Sequence, residues 1–149
     1  MKAVVTRVNS ASVSIEGSVC GRIGKGFLIL LGVGPEDGPA QCKKLVDKAL
    51  GLRIFEDEAG KMNRSLADIG GSVLVVSQFT LYGDCRKGRR PSFTGAAAPE
   101  LANGLYEQFL QECAALGFPP QHGEFGAYMQ VASENDGPVT LIVDTNDLK

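Results

Sequence analysis

The chain has 149 residues, the length of one ordinary domain, and its 44% hydrophobic and 21% charged residues exclude the disordered and fibrous classes. Fifteen Lys and Arg against seventeen Asp and Glu give a net charge of −2, so any contact with a polyanion must be local rather than global. A domain this long buries about 70% of its unfolded surface, enough to fold without a metal or a disulfide.

In chain order, residues 2–8 are rich in β-branched side chains and predict a strand. Residues 12–16 alternate polar and apolar as a half-buried strand does, and Gly17-Ser18 turns the chain into a further strand over 19–23. After Gly24-Lys25-Gly26 comes the unbroken apolar run Phe27 to Val33, the pattern of a strand covered on both faces. A Gly/Pro loop over 34–39 leads into a helix predicted for 40–50, with Cys42, Leu45, Val46 and Ala49 at spacings of three and four and Gly51 as its stop. Residues 52–55 predict a short strand and 56–61 an acidic, solvated turn. The clearest buried strand is 72–79, and the clearest helix is 99–116, where Leu101, Leu105, Phe109 and Cys113 recur every fourth residue. Two strand-like segments, 128–133 and 139–143, flank a turn at 134–138 that the residues alone present as a hairpin. Many strands, two principal helices and no βα alternation predict a single α+β domain over 1–149 with largely antiparallel sheets.

The longest apolar stretch is far below the ~20 residues of a membrane span, and the N-terminus carries no apolar core before a cleavage site. A cytosolic location is therefore expected, with no membrane partner. Cys20, Cys42, Cys85 and Cys113 are widely separated and His122 is the single histidine. A zinc site would need an unusual ligand set, no metal or cofactor is expected, and reduced, mostly buried thiols are. His122 lies in a loop-like Pro-Pro-Gln-His-Gly segment, which places it on the surface and argues against a histidine-based triad.

Three segments have compositions that a core does not require. Ser77-Gln78-Phe79-Thr80-Leu81 puts hydroxyl and amide groups at the C-terminal end of the buried strand, where a rigid scaffold positions groups able to hold a neutral substrate or a developing oxyanion. Arg86, Lys87, Arg89 and Arg90, followed by Pro91, Ser92 and Phe93, concentrate positive charge beside an aromatic face, a combination suited to phosphates and a base. Asn135-Asp136-Gly137-Pro138 is a strong turn signal.

Taken together, Ser77-Gln78-Phe79-Thr80-Leu81, Arg90-Pro91-Ser92-Phe93, Met129-Gln130-Val131 and Asn135-Asp136-Gly137-Pro138-Val139-Thr140 resemble the D-aminoacyl-tRNA deacylase family. The similarity extends to Arg7-Val8, Leu30-Leu31-Gly32-Val33, Arg53-Ile54-Phe55 and Gly60-Lys61-Met62-Asn63, in order over nearly the whole chain. It implies a barrel-like core and a cytosolic homodimer that hydrolyses the ester joining a D-amino acid to the 3′-terminal adenosine of tRNA, a quality-control step in translation. Ser77, Gln78, Phe79 and Thr80 would be the catalytic segment. Gly137 and Pro138, joined by a cis peptide and supported by Arg7, would reach the partner's pocket and exclude L-enantiomers, with Met129, Pro91, Ser92 and Phe93 nearby. Glycyl-tRNA, which has no side chain to exclude, would be cleaved slowly too. Arg86, Lys87, Arg89 and Arg90 would contact tRNA phosphates. Thr80 as nucleophile and the adenosine 2′-OH as assistant to water are both open, the second being favoured because Thr80 lacks an evident base. A non-catalytic module binding the tRNA acceptor end, and an esterase of small molecules, are the competing readings.

Overall fold

A computed structural model describes residues 1–149. β1 (Lys2–Ile15) joins the two strand-like segments at the N-terminus into one long strand. β2 (Ser18–Ile23) folds back on its second half, and β3 (Gly26–Gly32) on its first. Gly26 is required where β3 begins, because a Cβ there would lie 1.8 Å from the carbonyl oxygen of Ser72. α1 (Pro39–Leu50) carries proline in its first turn and buries the expected stripe of Cys42, Leu45, Val46 and Ala49. β4 (Phe55–Glu56) and β5 (Met62–Arg64) form a small hairpin across the acidic turn, so only Phe55 of the strand expected at 52–55 lies in a strand. α2 (Leu66–Ile69) is a single turn that the sequence did not announce; the Ser65 hydroxyl caps it by accepting from the Asp68 N–H.

β6 (Ser72–Ser77) stops two residues short of the expected end, where the chain tightens into a 3₁₀ turn over Phe79–Tyr82. α3 (Pro99–Ala115), β7 (Gln121–His122), β8 (Gln130–Asp144) and a short 3₁₀ turn (Thr145–Asp147) complete the chain. No helix is long and apolar enough to cross a membrane.

The strands run in the order β2-β1-β3-β6-β7, with β8 added to β1. The expected α+β class holds, but the sheet is mixed, since β3–β6 and β6–β7 are parallel. The unalternating apolar runs of β3 and β6 suit buried parallel neighbours; the hairpin interposed with α1 and α2 between them disguised the crossover as a lack of βα alternation. β7 returns to β2, and Gly21 permits this because a Cβ there would meet the His122 carbonyl oxygen at 3.0 Å. The sheet is thus a nearly closed barrel. On one face Val5, Phe27, Ile29 and Val75 pack under Leu45 and Val46 of α1 and Leu105 and Phe109 of α3. A second cluster, including Val8, Val13, Ile23, Leu28, Leu74 and Val76, fills the other.

The segment 134–138 is not the hairpin expected from its residues. Both halves of β8 pair with β1, from Gln130 opposite Ser14 to Asp144 opposite Lys2. Between the pairs Val8–Asn135 and Thr6–Thr140, Arg7 stands alone on β1 against Asp136, Gly137, Pro138 and Val139 on β8. A wide bulge, not a reversal, accommodates the turn residues, and the Gly137–Pro138 peptide is cis. β8 has no other neighbour, so it is a free edge, with Val131, Leu141 and Ile142 exposed along it.

All four thiols are free, but they are not mostly buried: Cys42 and Cys113 lie between α1 and α3, whereas Cys20 and Cys85 are exposed. Burial, with Glu112 adding to it, pushes both core thiols up to about 12. A thiol-specific reagent at pH 8 is therefore expected to modify Cys20 and Cys85 quickly and the other two only after denaturant is added. Because the core thiols ionise more readily in the unfolded chain, whose ordinary value is 9.0, their contribution to stability is intact below pH 9 and is lost as pH rises towards 12. A denaturant midpoint that falls over that interval, and falls less in Cys42→Ala, is the expected result.

Candidate active site

The segment expected to be catalytic, Ser77 to Thr80, sits where β6 leaves the sheet. Ser77 is half-buried opposite Leu31, and the Gln78 N–H donates to the Leu31 carbonyl at 2.8 Å, carrying the register one residue past the strand. The 3₁₀ turn then uses the N–H groups of Leu81 and Gly83 on the carbonyls of Gln78 and Thr80. The N–H groups of Phe79 and Thr80, which open the turn, have no partner within it, as at any helix start. The Gln78 side-chain amide donates to the Thr80 hydroxyl oxygen. That neighbour is a donor, so Thr80 has no base attached to it. His122 lies beside Val75 on β7, exposed, with its Nδ1 2.6 Å from the Gly123 carbonyl oxygen.

Phe79 is 54% exposed and meets Phe93 edge to face, with ring centroids 5.4 Å apart. The two rings form one wall of an apolar cleft of about 330 Å³, completed by Ala96, Ala97, Pro99, Ala102, Phe125 and Gly126. Tyr82 anchors the far end of the turn. Its ring lies on Gly32 and Gly34, where a Cβ would come within 3.2 and 3.0 Å of it, and the Lys2 ammonium stands 4.6 Å from the ring centre. Burial and the nearby Asp37 carboxylate raise the Tyr82 hydroxyl above the ordinary phenol range.

The bulge is held from beneath by Arg7, which is 4% exposed. Its Nη1 donates to the Ile54 carbonyl at 2.7 Å, and its Nε faces both the carbonyl and the carboxylate of Asp136 at 3.2 Å. Gly137 has φ +120°, and a Cβ there would lie 2.8 Å from Arg7 Nη2. Only glycine lets the bulge pass this close to the guanidinium.

A single chain does not unite the two motifs. Ser77 is level with Leu31, Ala3 and Val143, whereas the bulge is level with Arg7, Phe27 and Val73. Four residues of strand at ~3.3 Å each, and three inter-strand spacings of ~4.8 Å, put them roughly 19 Å apart over the sheet. Met129 also lies away from the cleft, packing on the second core cluster beside Gly123.

The basic segment forms an exposed loop closed by a bridge between Asp84 and Ser92, at 2.7 and 2.9 Å. Lys87, Arg89, Arg90 and Pro91 are exposed on it, and none of the three cations has an acidic partner. Arg86 is different: Nε and Nη2 hold the two oxygens of Asp84 at 2.9 and 2.8 Å, and this pairing keeps the Asp84 carboxyl below the usual range. Sequence reasoning found Phe79 and Phe93 but not Ala96, Ala97, Pro99, Ala102 or Phe125. Small apolar side chains give no chemical signal, and the one cue available was Phe125, an aromatic residue between Gly123 and Gly126.

A family model described as D-Tyr-tRNA(Tyr) deacylase matches residues 4–144. A D-aminoacyl-tRNA deacylase of Desulfatibacillum aliphaticivorans is 59% identical, covering 97% of this chain and 99% of its own. One from Clostridioides difficile is 55% identical over 98% of both chains. Among solved structures, a c-Myc DNA unwinding element binding protein superposes with a TM-score of 0.91 at 44% identity, over 97% of this chain and 98% of its own. A probable eukaryotic D-amino acid tRNA deacylase shares the fold, with a TM-score of 0.84 at 17% identity over 95% and 97%. The chain belongs to the D-Tyr-tRNA(Tyr) deacylase family, and its enzymatic activity is D-aminoacyl-tRNA deacylation, a hydrolysis.

Proposed function

We propose that this deacylase works as a homodimer in the cytosol, clearing D-aminoacyl-tRNA, and more slowly glycyl-tRNA, by a steric test of handedness made between two protomers. The separation of Ser77–Thr80 from Gly137–Pro138 within one chain carries this reading: if both act on one substrate, they come from different copies. The free edge of β8, with Val131, Leu141 and Ile142 exposed on either side of the bulge, is the surface on which a second copy pairs, because an unpaired apolar edge seeks another strand.

The terminal adenine enters the apolar cleft against Phe79 and Phe93, where its face replaces water. Lys87, Arg89 and Arg90 take backbone phosphates. The partner's bulge presents main-chain carbonyls to the substrate ammonium and occupies the volume an L side chain would need, while a D side chain points to solvent. A filter of this kind rejects by clash and is indifferent to side-chain size. The N–H groups of Phe79 and Thr80 face the carbonyl oxygen as negative charge develops. Since the Thr80 hydroxyl meets an amide donor and not a base, water assisted by the adenosine 2′-OH is the nucleophile.

With matched substrates, D-tyrosyl-tRNA is expected to be hydrolysed, L-tyrosyl-tRNA to survive, and glycyl-tRNA to fall only at higher enzyme concentration. Cleavage of the L-form at a comparable rate overturns the filter, and binding of D-tyrosyl-tRNA without turnover favours an acceptor-end binding module. Thr80→Ala is expected to keep its rate within about tenfold of the parent, whereas a loss beyond about a thousandfold would make Thr80 the nucleophile. Gln78→Ala and Gly137→Val, each expected to be inactive alone, should recover about a quarter of the wild-type sites when co-refolded, since half the dimers are mixed and each mixed dimer has one intact site. No recovery would mean that one chain builds its own site.

A further inference from the structure

The basic loop contains four cations that sequence treats alike, yet one of them is built for a different task. The Arg86 side chain is 90% exposed, but its guanidinium is gripped by both carboxylate oxygens of Asp84, and the Arg86 N–H also donates to Asp84 Oδ1 at 3.0 Å. Asp84 is in turn fixed by its backbone bridge to Ser92. A bidentate pair holds the guanidinium plane at one orientation and balances its charge. Such a group is a weak phosphate clamp and a good platform for a base, because stacking needs a flat, pre-positioned face and little net charge.

Arg86 borders a groove of about 520 Å³ lined by Tyr82, Gly83, Asp84, Cys85, Thr94 and Gly95. This groove backs directly onto the apolar cleft. Phe93, Ala96 and Ala97 face the cleft while Thr94 and Gly95 face the groove, so residues 93–97 are the shared wall. Gly83 thins that wall, since a Cβ there would lie 3.0 Å from the Phe93 ring. An RNA strand whose last base occupies the cleft meets the groove as the adjoining concavity.

We propose that this groove receives the base of the nucleotide preceding the terminal adenosine, stacked on the Arg86 guanidinium. The proposal rests on the reading that the apolar cleft holds that adenosine. Lys87, Arg89 and Arg90, which have no acidic partners, keep the phosphate role.

The test compares D-tyrosyl-adenosine, a D-tyrosylated dinucleotide ending in adenosine, the same dinucleotide with the first base removed, and D-tyrosyl-tRNA. For the wild type, adding the second base is expected to lower KM about tenfold, the usual scale of one stacked base, and the abasic form should lose that gain. Arg86→Lys keeps the charge but not the plane, so the ratio of KM without and with the base should fall towards one. Lys87→Ala should keep the ratio and reduce the salt dependence of KM on tRNA by about one ionic contact. If Arg86→Lys reduces the salt dependence and preserves the ratio, Arg86 is a phosphate contact and the proposal fails. If it weakens D-tyrosyl-adenosine by the same factor as the dinucleotide, Arg86 shapes the loop and the proposal fails. A wild type that hydrolyses both D-tyrosyl-adenosine and D-tyrosyl-tRNA but gains nothing from the second base overturns only this subsite. One that hydrolyses neither overturns the underlying function.

Discussion

Arg7 is a permanent cation held almost wholly out of water, between a strand-edge bulge and the carbonyl of Ile54. A guanidinium in that position must satisfy its donors, since a buried charge left without partners costs far more than one hydrogen bond contributes. It does so on Ile54 and on Asp136, and hydrogen bonds to charged groups contribute ~1.5–3 kcal/mol each. The bulge cannot move without stripping Arg7 of Asp136. Gly137 tightens the coupling, because its missing side chain is what lets the backbone reach the guanidinium. Two ordinary requirements, a paired strand and a satisfied cation, together hold a main-chain projection at the edge of the sheet.

The 77–80 segment is set by the opposite end of the same scaffold. β6 is buried along most of its length, and where it ends the chain turns at once into a 3₁₀ turn with its first N–H groups unpaired. Tyr82 pins that turn to Gly32 and Gly34, and β1 passes Lys2 over the ring. One strand therefore braces both elements, by Lys2 at one level and Arg7 five residues on. That rigidity keeps the two elements at a fixed separation: hydrogen-bonded sheet transmits register with little slack, whereas two loops on flexible stems would not.

Much of the fold was legible because burial leaves a period. The apolar runs at 27–33 and 72–77 and the helical stripes of α1 and α3 all appear as hydrophobic patterns. Parallel pairing did not, because it depends on where a crossover returns rather than on any local pattern. Nor did the bulge. Asn135-Asp136-Gly137-Pro138 carries the chemistry of a reversal, and nothing local indicates that the strands on either side share a single partner. The mixed exposure of the cysteines likewise followed from where α1 and α3 meet, not from their spacing.

The polar strand end at 77–80, the basic loop and the Gly-Pro motif were each identifiable from residue chemistry, since polar and charged groups cluster there without a core to explain them. Sequence alone determined which groups are present, which strands are apolar enough to be buried, and the family to which their order points. Tertiary structure decided which of those groups meet. It put the two motifs at different levels of one sheet, recruited silent alanines and Pro99 to wall the apolar cleft, and separated Arg86 from its three neighbours by giving it a carboxylate. Composition specifies the groups a chain carries, but distance between them is set by strand register and closure, which depend on residues far apart in the chain.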